Sequence, residues 1–313
     1  MTDGSSRLML LDTASLYFRA FFGVPDTVRA PDGTPVNAVR GLLDFIARLV
    51  TTGRPTHLVC CWDNDWRPQW RVELISSYKA HRVEYVVADG VDVEETPDPL
   101  EAQIPMIEAV LEALGIAVVG ADGYEADDVI GSLASQTPGM VDVVTGDRDL
   151  FQLVDDEQQI RVLYIARGVG NLETLTDATI VGKYGILPQQ YVDFAVMRGD
   201  ASDGLPGVKG VGEKTAAGLL QQYGDLAAIR EAAADPTSGL ATGVRSKILA
   251  AADYLDVAPK VVAVARDLKL PTVDSRIKPI GEESEEVLTT LQETWGLGGS
   301  VTRVVEAFAA TSA

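Results

Sequence analysis

Short apolar runs, several of them rich in β-branched residues, recur through the first half of this chain, at 7–11, 57–62, 116–119, 141–145 and 160–165. Amphipathic stretches at 36–50, 99–114 and 126–134 fall between them. Parallel strands need long crossovers, usually helices, so this alternation predicts an α/β unit with a mostly parallel central sheet. In such sheets ligands gather outside the carboxyl ends of the strands. Acids stand at those ends: Asp12 after Leu-Met-Leu-Leu, Asp63 after Leu-Val-Cys-Cys-Trp, and Asp147 and Asp149 after Val-Asp-Val-Val-Thr-Gly. From about Gln189 the pattern turns helical, with Gly breaks and Ala-rich segments. We therefore expect an α/β domain over 1–188 and a helical domain over 189–313.

Composition narrows the setting. The first residues, Met-Thr-Asp-Gly-Ser-Ser, carry no basic segment, and no apolar run approaches membrane-spanning length. Neither secretion nor a membrane span is expected. Cys60 and Cys61, the only cysteines, would point to opposite faces of a strand. They make a poor disulfide and poor metal ligands, which fits a reduced, cytoplasmic compartment. His57 and His81 are too few for a zinc cluster. The net charge of −20 speaks first for solubility. A nucleic-acid role requires that positive charge be local and that some acids be neutralised by metal.

The acids cluster. Glu125, Asp127 and Asp128 stand within four positions at the expected start of a helix. The helix dipole accounts for one or two of them but less well for three, which also repel each other. Asp147 and Asp149 share a face if extended, and Asp200 and Asp203 share one if helical. An oxygen-only set of this kind suits Mg²⁺ or Mn²⁺. Two such ions about 3.5–4 Å apart would serve phosphodiester hydrolysis.

The cations cluster too. The stretch 66–82 holds Arg67, Arg71, Lys79 and Arg82 interleaved with Trp66, Trp70 and Tyr78, and Glu73 is its only acid. One reading is a solvated helix face whose aromatics reach the core; the other is a single-strand contact, with bases on rings and phosphates on cations. The following stretch, 83–101, has seven acids and no Lys or Arg, so a protrusion with one basic and one acidic limb is expected, or a disordered acidic loop. Two of the eight lysines, Lys209 and Lys214, fall in the Gly-rich segment 199–216. Its Gly spacing favours backbone contact with phosphate. Residues 207–215 nearly spell a nucleotide-binding loop, but Glu213 breaks the register and 191–198 reads as helix where that motif needs a strand.

Together these motifs resemble the bacterial 5′ nuclease family, the flap endonucleases and the 5′-exonuclease domain of DNA polymerase I. Leu11-Asp12, Trp62-Asp63, Tyr78-Lys79-Ala80-His81-Arg82, Gln103-Ile104-Pro105, Glu125-Ala126-Asp127-Asp128, Thr145 to Leu150 and the segment 199–216 occur in the family's order. The resemblance implies a PIN-like or resolvase-like sheet with a helical arch over about 66–105, and a helix–three-turn–helix element in the C-terminal region. It implies a stand-alone, monomeric enzyme without a polymerase. Asp12, Asp63, Glu125, Asp127 and Asp128 would serve one metal, and Asp147, Asp149, Asp200 and Asp203 the other. Lys79 and Arg82 would act beside the scissile phosphate. Arg67, Arg71 and Tyr78 would contact DNA at the arch, and Gly207, Lys209, Gly210, Gly212, Lys214 and Thr215 would contact the duplex. A K⁺ ion would sit on the carbonyls of Val208 and Val211. The implied activity is Mg²⁺- or Mn²⁺-dependent cleavage of DNA at 5′ ends and flaps. Two features depart from the family: Gly204 replaces an Asn, and the limb 83–98 is unusually acidic. Three other readings stay open. One is a non-catalytic junction-binding protein, and a second is a PIN-type ribonuclease. The third is a phosphatase with Asp12 as nucleophile, for which Ala14 stands where a second acid is wanted.

Overall fold

A computed structural model describes residues 6–87 and 90–312 of the chain. Its central strand is β1, Arg7–Asp12, buried over nearly its whole length. Leu8 and Leu10 enter one hydrophobic cluster, and Met9 and Leu11 enter another on the opposite face. A strand covered on both faces belongs inside a parallel sheet. β2, His57–Cys61, flanks β1 on one side. Its adjacent cysteines divide as expected, Cys61 into the first cluster and Cys60 into the second.

Helices α1, Thr13–Gly23, and α2, Asn37–Gly53, cross from β1 to β2. Beyond β2 comes the arch segment, where the structure departs from the expected helical arch. α3, Gln69–Leu74, is short, and a single 3-10 turn spans Ala80–Arg82. β3, Val83–Tyr85, then pairs antiparallel with β4, Val93–Glu94. The cause lies in the limb itself: Val83, Val86, Val87, Val91 and Val93 alternate with acids, which favours extended backbone. Residues 88 and 89 of this limb lie outside the described residues. α4, Asp98–Glu101, and α5, Ile104–Ala113, return the chain to the sheet.

β5, Ala117–Val119, pairs parallel with β2, and α6, Ala126–Gln136, then leads to β6, Met140–Thr145, on the far side of β1. β7, Ile160–Tyr164, continues the parallel run, and β8, Glu173–Leu175, closes it antiparallel. The order is β5-β2-β1-β6-β7-β8. The chain leaves β1 toward β2 and later returns to its other side at β6, so the switch point lies between β1 and β6. The crevice for a ligand opens there, at the carboxyl ends of both strands.

The remainder is helical: α7, Asp177–Tyr184; α8, Tyr191–Arg198; α9, Glu213–Tyr223; α10, Leu226–Ala234; α11, Thr242–Ala250; α12, Ala252–Val262. Their apolar residues join the same cluster as α6, so the helical region covers one face of the sheet. The chain then runs back beside β2, where Ser275 O accepts from Leu58 N at 2.8 Å and Ile277 N donates to Thr56 O at 3.0 Å. α13, Glu282–Trp295, packs on α5, and α14, Gly299–Ser312, packs on α2. Within the expected 189–313 unit, α13 and α14 thus pack back against the sheet domain. Leu288, Leu297, Val301 and Val304 fill the cluster on the opposite face, because α2 has an apolar side to cover there.

Candidate metal centre

The carboxyl end of β1 builds the first part of the site. Asp12 is both the last residue of β1 and the N-cap of α1: its Oδ1 accepts from Ser15 N at 3.1 Å. Its Oδ2 accepts from Thr145 Oγ1, at the end of neighbouring β6, at 2.6 Å. Asp63, just past β2, accepts at Oδ1 from Ala126 N at 2.8 Å, which pins it to the start of α6. Asp147, just past β6, donates its N–H to Thr145 Oγ1 at 2.8 Å, and its Oδ1 accepts from Asp149 N at 2.8 Å. Asp12, Asp63, Glu125, Asp127 and Asp147 line one cleft of about 620 Å³, together with Lys79 and Arg82.

Asp149, Asp200 and Asp203 form a second group beside the first. Asp200 pairs with Arg198 at 2.9 Å and Asp203 with Arg82 at 3.0 Å. Asp149 Oδ1 is buried without a hydrogen-bond partner among the described residues.

Burial sets the electrostatics. It pushes Asp63 up to about 7 against the hydrogen bond from Ala126, with Glu125 and Asp12 adding repulsion. Burial likewise raises Asp203 to about 6. Asp127 and Asp149 rise well above the usual range, first through burial and then through the charge of Asp147. Glu125 goes the other way. Burial alone would raise it, but the Lys79 ammonium and Arg71 guanidinium outweigh that and hold it below the usual range. Crowded carboxylates that resist ionisation call for a cation.

A divalent metal passes the test of fit. The donors are all oxygen, as Mg²⁺ and Mn²⁺ require, and the orphaned Asp149 Oδ1 is a buried acceptor awaiting a partner. Among the described residues no group of three or more His, Cys, Asp or Glu is set as a ready-made cage.

Four expected roles are corrected. Arg67, Arg71 and Tyr78 are buried and do not present a DNA surface. Arg67 pairs with Asp92, while Arg71 and the Tyr78 hydroxyl are bonded to Glu125. Their apolar neighbours and acid partners draw them inward. Asp128 is buried too, and both its oxygens are taken by Arg71, so it does not line the cleft. Lys79 does line it, in left-handed backbone with φ 48°, and its ammonium contacts Glu125 and Trp66 O.

α1 contributes residues that the sequence alone did not single out. Ser15, Phe18, Arg19 and Phe22, spaced three and four apart, line the same cleft. Phe22 is 73% exposed, and Arg19 Nε is buried without a partner among the described residues. That spacing directly after Asp12 was the available signal.

The segment 199–212 joins α8 to α9 and carries exposed Lys209, Gly210, Gly212 and, in the first turn of α9, Lys214. Gly207 and Thr215 are half-buried, and the Val208 and Val211 side chains are buried. The α9 N-cap, Gly212, has no side-chain cap, so the first N–H groups of α9 stay available to an anion. Lys247 of α11 donates to Gly210 O at 2.8 Å.

Acids converging at a switch point, cations lining the same cleft and a Gly-rich segment joining the adjoining helices are the parts expected of a metal-dependent nuclease. Over residues 7–185 the chain matches the model of the 5′-3′ exonuclease N-terminal resolvase-like domain, and over 186–283 that of the 5′-3′ exonuclease C-terminal SAM fold. A 5′-3′ exonuclease of Streptomyces coelicolor (strain ATCC BAA-471 / A3(2) / M145) is 59% identical over 297 residues, covering 95% of this chain and 98% of the relative. A 5′-3′ exonuclease of Mycobacterium tuberculosis (strain ATCC 25618 / H37Rv) is 48% identical over 311 residues, covering 96% and 98%. This chain belongs to the 5′-3′ exonuclease family. The bacteriophage T5 D15 flap endonuclease, solved with DNA and metal ions, shares the fold: its TM-score is 0.62 at 15% identity, over 97% of this chain and 99% of that one. Among the described residues no helix is long and apolar enough to cross a membrane.

Proposed function

We propose that this protein hydrolyses DNA phosphodiesters at 5′ ends and 5′-flap junctions, using Mg²⁺ or Mn²⁺. The observation that carries the reading is the convergence of Asp12, Asp63, Glu125, Asp127 and Asp147 on one cleft at the β1/β6 switch point, with Lys79 and Arg82 at its wall. A pair of divalent ions bound among these acids and Asp149, Asp200 and Asp203 would supply Lewis-acid charge for in-line attack of water on the phosphate. The protein's own groups do the rest. Thr145 and Ser15 fix the Asp12 carboxylate, and Ala126 N–H fixes Asp63. Lys79 and Arg82 place positive charge where the phosphoryl oxygens gain negative charge, an interaction strongest in the transition state. Arg19, at the cleft wall, offers positive charge to a neighbouring phosphate, and Phe18 and Phe22 offer faces for a base. Lys209, Lys214 and the N-terminus of α9 would hold the duplex away from the cut, by charge and by backbone N–H.

A K⁺ ion on the carbonyls of Val208 and Val211 belongs to the same proposal. The enzyme would act as a monomer in the cytoplasm. The test is a labelled 5′-flap duplex incubated with Mn²⁺, comparing Asp147→Ala with the parent. Loss of cleavage is expected, and equal cleavage by both would overturn the site. An RNA flap of the same geometry separates the ribonuclease reading, which requires it to be cut in preference.

A further inference from the structure

Arg71 and Asp128 stand behind the cleft, and their bonds are those of a support. The Arg71 side chain is 3% exposed and that of Asp128 is 0% exposed. Arg71 Nη1 donates to Asp128 Oδ2 and Nη2 to Asp128 Oδ1, both at 2.8 Å, in the bidentate geometry that fixes both partners. Nη1 also donates to Glu125 Oε1 at 2.9 Å, and Nε donates to Val261 O, at the end of α12, at 3.0 Å. Asp128 Oδ1 also accepts from Ala265 N at 2.8 Å, and Oδ2 from Glu125 N at 3.3 Å. Each Asp128 oxygen thus has two donors from within the protein, and neither is left for an outside ligand.

The consequence falls on Glu125. Its Oε1 is held by Arg71 and by the Tyr78 hydroxyl, the latter at 2.6 Å. Its Oε2 accepts from the ammonium of Lys79, a side chain that lines the cleft. We propose that Arg71 and Asp128 are a positioning pair: they lock one oxygen of Glu125 so that the other faces the cleft for a divalent ion, and neither touches metal or substrate. The inference rests on the metal-dependent reading above.

The experiment is Mn²⁺ binding to the full chain without DNA, by calorimetry, with steady-state cleavage alongside. Groups that orient metal ligands typically affect affinity by roughly 10–100-fold. Arg71→Met is expected to weaken Mn²⁺ binding by at least about tenfold on that scale and to lower kcat with little change in KM. Arg71→Lys, with a charge but no fork, should recover part of the loss. Asp128→Asn should weaken Mn²⁺ comparably in the parent but add almost nothing in the Arg71→Met background, because both act through one carboxylate. An equal loss from Asp128→Asn in both backgrounds would make Asp128 a ligand and overturn the inference. So would parental Mn²⁺ affinity in a folded Arg71→Met. Should Arg71→Met not fold, Arg71→Lys replaces it in the cycle with the same criteria. Failure of the functional reading is distinguishable, since Asp147→Ala would then still cleave whatever the calorimetry shows.

Discussion

Ser77 and Gly204 meet backbone to backbone: a β-carbon built on Gly204 would stand 2.0 Å from the Ser77 carbonyl oxygen. Gly204 also has φ +69°, a conformation that favours glycine. Around this contact Ser77 Oγ donates to Gly204 O at 2.7 Å and Lys79 N to Asp203 O at 2.9 Å, while Arg82 donates to Ser202 O at 2.7 Å. The loop bearing Asp200 and Asp203 is thereby bonded to the segment bearing Lys79 and Arg82. Glycine at 204 is what allows so close an approach.

Gly204→Ala should therefore destabilise the protein by about 1–3 kcal/mol from backbone strain alone, and more through the displaced Ser77 carbonyl. Gly204→Asn tolerates the left-handed backbone but still brings a β-carbon, so its effect should have the same sign. Calorimetric melting and flap cleavage measure both. An unchanged Tm with full cleavage in Gly204→Ala would refute the close contact.

Lys79→Met should reduce kcat by roughly 10²–10³-fold, the usual loss when one charge-stabilising group is removed from an active site. Mn²⁺ binding should survive, because Glu125 keeps Arg71 and Tyr78 on Oε1. If Mn²⁺ affinity collapsed along with kcat, Lys79 would be acting on the metal site instead.

The raised acids make stability depend on pH. Burial holds Asp63 at about 7 and Asp203 at about 6 in the fold, against an ordinary value of 3.8. Between about pH 4 and 7 the native state binds more protons than the unfolded one, so the metal-free protein should lose stability as pH rises through that window. Divalent metal removes the penalty, and its stabilising effect should be larger at pH 7.5 than at pH 5. Melting curves of parent and Asp63→Asn test this: the variant should show a shallower decline, and an equal slope would exclude Asp63 as a source.

Lys209→Gln and Lys214→Gln should each raise KM for duplex-bearing substrates with little change in kcat. Removing a lysine that meets one phosphate lowers the slope of log affinity against log salt by about one. A variant with the parental salt slope would show that its lysine does not meet a phosphate.

The parallel strands were legible because strands buried on both faces read as unbroken apolar runs, and the acids that follow them mark the crevice. β8 was not legible, being three residues long at an antiparallel edge. Arg71 and Tyr78 misled because arginine and tyrosine so often reach solvent. Their partners lie far off in sequence, Glu125 at 54 residues from Arg71 and 47 from Tyr78, and no local pattern reveals such a pair. The return of α14 to α2 was hidden for the same reason.

That return has a mechanical consequence. The helical region with its Gly-rich hairpin does not hang from one linker. It departs from the sheet domain near α7 and comes back along β2 before α13 and α14 dock on the other face. Tied down at both ends, it cannot swing away from the acids without two strands of chain yielding together. The spacing between the proposed duplex contacts and the cluster of acids is thus held like a gauge between two fixed jaws.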